Sequence, residues 1–144
     1  MGALLHGNEL EFAIRLGVCL LCGLIVGVER ELRGKSAGIS TNCFVMAGAA
    51  LFTFASQSID PNSPARIAAQ VVSGVGFLGA GMIIKGEGHT VRNLTTAAAV
   101  WFAAAIGMAI GFGWYVIAVM ASVYAIVVPR IPHVKTWLGA EHDE

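Results

Sequence analysis

The chain has 144 residues, of which 56% are hydrophobic and 12% charged, with a formal net charge of zero and a mean hydropathy of +0.74. A soluble domain carries about 25% charged residues, so this surface does not face water all round, and one membrane domain fills the length. Balanced charge, with no basic run interleaved with aromatics, implies no nucleic-acid partner.

In chain order, residues 1–11 are short and mildly acidic, with Glu9 and Glu11 next to the first apolar run. They lack a basic leader and a small-residue cleavage site, and so do not read as a signal peptide. The first span is predicted over 12–28, with Arg15 a turn inside its start, where a long side chain snorkels to the interface. Gly23 and Gly27 form a GxxxG pair suited to close helix packing. The loop 29–38, ERELRGKSAG, carries charges of both signs. The second span, 39–56, is entered through Ser40, Thr41 and Asn42, each a residue type that caps helices. Asp60-Pro61 and Ser63-Pro64 end one helix and start another. The third span covers 66–84, and the loop 85–93, KGEGHTVRN, is polar and turn-rich. The alanine-dense fourth span is predicted over 94–110, Gly111-Phe112-Gly113 reverses the chain, and the fifth span covers 114–128. Pro129 and Pro132 close it.

The fold class is therefore an all-α membrane protein of about five transmembrane helices, with residues 1–130 as the transmembrane domain and 131–144 as a short tail. The spans have 15 to 19 residues, slightly under the ~20 that a straight helix needs for a ~30 Å core. Arg30, Arg33, Lys35, Lys85, Arg92, Arg130 and Lys135 fall on one side, against Arg15 and Arg66 on the other. The positive-inside rule then puts the N-terminus outside and the C-terminus in the cytoplasm.

The third span has the most unusual pattern. At about 100° per residue, Arg66, Gln70, Ser73, Phe77, Ala80 and Gly81 share one stripe, with Gly74 at its edge. Ile67, Val71, Val75, Leu78 and Met82 lie opposite. The expectation is a seam of polar and small residues, including Gly74, Gly76, Gly79 and Gly81, that faces protein, with the apolar side toward lipid and the other spans packed on the seam.

Motifs with chemistry are few. Residues 74–79 match GxGxxG, but the dinucleotide fingerprint needs a strand before it and an acid about 20 positions on; Glu87 is too early and the next acid is Glu141. Cys19 and Cys22 form a CxxC without a second ligand pair, and read as small residues packed in a helix. The histidines are scattered, and no nucleophile and base are in local arrangement. No Asp or Glu lies in the middle of a span, which counts against a simple magnesium channel, although unwound Gly-rich backbone offers carbonyls. Arg15 and Arg66 find natural partners in Glu9, Glu11 and Asp60. At the opposite ends, Glu29, Arg30 and Glu31 meet Lys85 and Arg92. They form either a cluster that recognises an ion or partner, or loop-to-loop salt bridges that pin the helix ends. Thr95 and Thr96 suit capping of the fourth helix, and together with Asn93 they suit an anion at its start.

Several strings together resemble the membrane domain of the MgtC/SapB family: GLIVGVEREL (23–32), KSAGISTN (35–42), RIAAQVVSGVGFLGAGMI (66–83) and LTTAAAVWFAAAIGMAIGFG (94–113). The matching positions are Glu29, Arg30, Gly38, Thr41, Arg66, Gln70, Gly74, Gly76, Phe77, Gly79, Gly81, Leu94, Thr95, Thr96 and Trp101. The resemblance implies a bacterial inner-membrane protein with five spans, linked to growth in low magnesium, virulence and restraint of the F-type ATP synthase. It also implies glycine where this chain has Asn93. Longer members carry a C-terminal cytoplasmic domain, so the chain reads as a short member or a trimmed one. The partner- or ion-linked candidates are Glu29, Arg30, Thr41, Arg66, Gln70, Ser73, Thr95 and Thr96; the packing candidates are Gly74, Gly76, Gly79, Gly81 and Trp101. No catalytic residue, metal or cofactor is assigned. The expected function is non-enzymatic binding of membrane partners as a homodimer, and the rival is a small transporter with a polar path at Arg66, Gln70 and Ser73.

Overall fold

The computed structural model describes residues 8–59, 61–63, 65–85 and 91–131. Its helices are α1 (Glu9–Leu32), α2 (Ile39–Ile59), α3 (Ala65–Met82), α4 (Leu94–Gly111) and α5 (Tyr115–Val127), the last continued by a 3-10 turn, Val128–Arg130. Each begins within three residues of its predicted start. The connection predicted as a polar loop holds a short antiparallel ladder instead, β1 (Ile84–Lys85) and β2 (Val91–Arg92), pairing Ile84 with Arg92 and Lys85 with Val91. The four histidines, Asp60 and the tail beyond Ile131 lie outside the described residues.

The first four helices are long and apolar enough to cross a membrane, which makes this a helical membrane protein. With 13 residues, α5 is only ~20 Å long at 1.5 Å per residue, short of the ~30 Å hydrocarbon core.

The centre of the bundle is the α2–α4 pair, not α3. Helix α4 is apolar all round, the pattern of a helix surrounded by others. One of its faces meets α1, α2 and α5 through Cys19, Cys22, Val26, Met46, Ala50, Ile106, Ile110 and Ala118. Its other face, with Val100 and Ala104, meets Ala49 of α2 and Val71 and Val75 of α3. Glycines permit this close approach. A Cβ on Gly107 would run into the backbone of Met46, and one on Gly111 would meet Thr53 and Ala50, so α4 lies almost backbone-to-backbone on α2. On the other side of α2, Gly23 meets Cys43 and Gly27 meets the backbone of Ile39. The GxxxG expectation for Gly23 and Gly27 holds. Gly107 and Gly111 have the same spacing, a second GxxxG pair within the alanine-dense α4. Cys19 and Cys22 are free and buried in the core.

Helix α3 is turned the opposite way from expectation. Ala68, Val71, Val75 and Gly79 are its buried residues, whereas Arg66, Gln70, Ser73, Gly74, Gly76 and Gly81 are exposed and Phe77 is 83% exposed. Of its glycines, Gly79 touches Ala97 of α4 at 3.7 Å, but Gly74, Gly76 and Gly81 have nothing within 4 Å. The reason lies in α4: its alanine-rich groove already supplies the small side chains, and β-branched Val71 and Val75 fill it. A second glycine face there would leave a void. Trp101, expected in a packing role, is about half exposed on the outside of α4.

Candidate functional site

The polar side chains gather at the two ends of the bundle, each around a buried arginine on α1. At the first end, Arg15 is turned inward at 6% exposure instead of snorkelling to the interface. Its guanidinium donates to the Gly111 carbonyl and the Glu11 carboxylate, and at 3.4 Å to Gln57 Oε1. It also lies 4.5 Å from the centroid of the Phe54 ring. Gly111 ends α4, so this guanidinium neutralises an orphan carbonyl at the negative pole of that helix. The partnership with Glu11 matches expectation and has i, i+4 spacing. Gln57 and Phe54 were not legible as partners, because only the bundle brings the end of α2 beside the start of α1.

At the second end, Arg30 is 2% exposed and its Nη2 donates to Thr96 Oγ1 at 2.8 Å. Thr96 thus accepts a bond from α1 and supplies no side-chain cap to its own helix. Glu29, also buried, pairs with Arg33 at 3.4 Å and lies 3.8 Å from Arg130. In place of the expected bridge to Arg92, Glu29 takes Arg33, four residues on along the same helix, where the two side chains meet readily; the Lys85 side chain lies outside the described residues. Glu31 accepts the Ile39 N–H at 2.9 Å and so closes the free start of α2. Ser40, Thr41 and Asn42 lie inside that helix, one or more residues past its first position. Gly38 has no side chain because a Cβ would collide with the Glu31 carboxylate. The buried Asn42 amide donates to the Ala37 and Gly38 carbonyls at 3.2 and 2.8 Å. Among the described residues, Arg30 Nε and Glu29 Oε2 are buried with no hydrogen-bond partner.

The start of α4 depends on Asn93, whose φ of +65° lies in the left-handed region. Asparagine tolerates this conformation better than most residues, so the turn expected of glycine is kept. The Asn93 amide additionally donates to the Met82 carbonyl at 3.3 Å, tying the end of α3 to the start of α4.

The predicted site residues therefore separate. Glu29, Arg30 and Thr96 come together, with Thr95 exposed beside Arg30 along a groove between α4 and α5. Thr41 is half-buried in the first turn of α2. Arg66 and Gln70 lie at the first end, lining with Ser56 and Ser63 an open hollow of about 630 Å³. Ser73 is exposed further along α3. Arg15 and Arg30 are fifteen residues apart on α1, or ~22 Å, so the two groups do not form one site. Among the described residues, no group of three or more His, Cys, Asp or Glu side chains is placed to hold a metal ion.

Known proteins are similar to this sequence. The Protein MgtC of Salmonella typhimurium (strain LT2) is 46% identical over 112 residues, 78% of this chain and 48% of that protein. Protein MgtC of Brucella abortus (strain 2308) is 50% identical over 113 residues, 78% of this chain and 47% of that protein. "Putative magnesium transporter YhiD" of Escherichia coli (strain K12) is 43% identical over 136 residues, covering 88% and 63% respectively. The chain thus spans about half the length of the MgtC relatives it matches. No solved structure matches it. The MgtC family pattern fits residues 16–134, from just after Arg15 to beyond the end of α5, and so takes in every packed helix and the whole Arg30 cluster: the chain belongs to the MgtC family.

Proposed function

We propose that this protein is a non-enzymatic component of the bacterial inner membrane that acts by binding other membrane proteins, first among them a second copy of itself. In this reading it crosses the bilayer five times, with the N-terminus outside and the C-terminus in the cytoplasm; α5 and its 3-10 turn together complete the last crossing. The observation that carries it is the outer face of α3. Gly74, Gly76 and Gly81 meet nothing within 4 Å, and the Phe77 ring stands out between them. Lipid gives helices no hydrophobic drive to associate, so they associate where small residues let backbones approach closely. The seam read from the sequence is kept as a protein-facing surface, for a partner instead of the chain's own helices. Low-magnesium adaptation, virulence and restraint of the F-type ATP synthase are the roles that the family resemblance implies, and they are proposed on that footing.

Crosslinking and mass measurement in nanodiscs test the reading. The wild type is expected to give dimers that Gly74→Leu and Gly81→Leu abolish while the monomer stays folded. A wild type that is monomeric throughout would overturn it.

The second reading, a transporter, draws on the hollow at Ser56, Ser63, Arg66 and Gln70 and on the name of the E. coli relative. It predicts magnesium flux in liposomes that is lost in Arg66→Ala. The charged side chain that lines this hollow, Arg66, repels a divalent cation, which favours the partner-binding reading.

A further inference from the structure

A groove of about 220 Å³ runs between α4 and α5 on the side of the bundle away from α3, and its wall holds one charge. Ala98, Ala99, Phe102 and Ile106 of α4 and Tyr124 of α5 line its length, and Arg30 and Thr95 lie at one end beside Pro129. From Thr95 to Ile106 is eleven residues of helix, or ~16 Å. That is about half of a ~30 Å hydrocarbon core, the depth of one leaflet. Pro129 and Arg130 follow directly on α5, which places the Arg30 end at the headgroup level.

Arg30 is the unusual member. It is almost fully buried, and among the described residues its guanidinium donates only to a neutral hydroxyl, that of Thr96. Its Nε has no partner among them. The one buried carboxylate nearby, Glu29, is directed to Arg33 and Arg130. Three guanidiniums, those of Arg30, Arg33 and Arg130, therefore share the one carboxylate that is buried among the described residues at this end of the bundle, Glu29. A buried cation whose nearest counter-charge, Glu29, is shared with two other guanidiniums is left under-compensated, and guanidinium is well matched to phosphate oxygens.

We infer that this groove holds an anionic phospholipid, with one acyl chain between α4 and α5 and the phosphodiester against Arg30 and the Thr95 hydroxyl. The inference does not depend on the proposed dimer, which rests on the outer face of α3, and no residue of α3 lines this groove. A free anion would match the charge but not the leaflet-deep apolar slot.

Native mass spectrometry of the purified full chain, exchanged against phosphatidylglycerol or phosphatidylcholine, provides the test. The wild type is expected to retain phosphatidylglycerol about tenfold better. Arg30→Gln should remove that preference. Ala99→Trp fills the slot, leaves Arg30 in place and should reduce retention of phosphatidylglycerol to the phosphatidylcholine level. Equal retention of the two lipids by the wild type would overturn the inference, as would a preference that survives in Arg30→Gln. If inorganic phosphate competes the lipid off as effectively as phosphatidylglycerol does, the acyl slot is refuted. Should Arg30→Gln fail to fold, Ala99→Trp decides alone: undiminished retention in that variant refutes the site.

Discussion

Arg15 and Arg30 are buried at opposite ends of the same helix and are satisfied in different ways. Arg15 reaches a carboxylate, an amide and a helix-terminal carbonyl, so its charge is matched inside the chain. Its loss leaves the Gly111 carbonyl and Gln57 without a donor. Arg15→Met is expected to lower stability by about 1–3 kcal/mol, measured by denaturant titration in detergent micelles. Most of the loss comes from the Gly111 bond, since the half-exposed Glu11 adds little. Arg15→Lys should recover only part, because an ammonium does not reproduce the planar fork that spans three acceptors. At Asn93 the backbone sets the outcome. Asn93→Gly is expected to stay within about 0.5 kcal/mol of wild type, because glycine enters the left-handed region freely. Asn93→Val should cost about 1–3 kcal/mol, read from the same titration.

Among the helices, glycines with identical chemistry have opposite roles. Gly27 and Gly107 sit where a Cβ would enter the backbone of α2, whereas Gly74 and Gly81 look into open space. Gly27→Leu and Gly107→Leu should therefore separate α2 from its neighbours, lose several kcal/mol to overpacking and give a chain that aggregates on extraction. Gly74→Leu and Gly81→Leu should leave the thermal midpoint of the monomer within about 3 °C of wild type, a shift of no more than about 1 kcal/mol. The same split governs how α4 is held. Its all-apolar sequence says that it is surrounded, and the Gly107–Gly111 pair is what places it against α2.

At the scale of the whole molecule, the five-span topology has a direct test. In a background without Cys19, Cys22 and Cys43, single cysteines at Ser36 and Asn62 sit in the connections on opposite ends of the bundle, both exposed. An impermeant maleimide added to intact cells should label Asn62→Cys and should reach Ser36→Cys only after permeabilisation. The reverse pattern would invert the orientation derived from the basic residues. Labelling at position 131 from the same side as position 36 would establish that α5 completes a fifth crossing.

Much of this architecture is written in local signals. Apolar runs bounded by Asp-Pro, Ser-Pro and Gly-Phe-Gly fix the helices to within a few residues, because in lipid the backbone must satisfy its own hydrogen bonds and has few alternatives to a helix. The charged loops mark the ends, and Glu11 beside the first span is the partner expected for Arg15, whereas Glu29, expected to meet Lys85 and Arg92, pairs with Arg33 on its own helix. The facing of α3 was not legible. Periodicity separates two stripes on a helix but does not say which one a neighbour will cover, and in a membrane either stripe can be buried: apolar side chains suit lipid and core alike. That choice fell to α4, whose alanines accept Val71 and Val75 and leave the glycines outside. The meetings of Arg30 with Thr96 and of Arg15 with Gly111, across 66 and 96 residues, likewise exist only once α1 and α4 lie side by side.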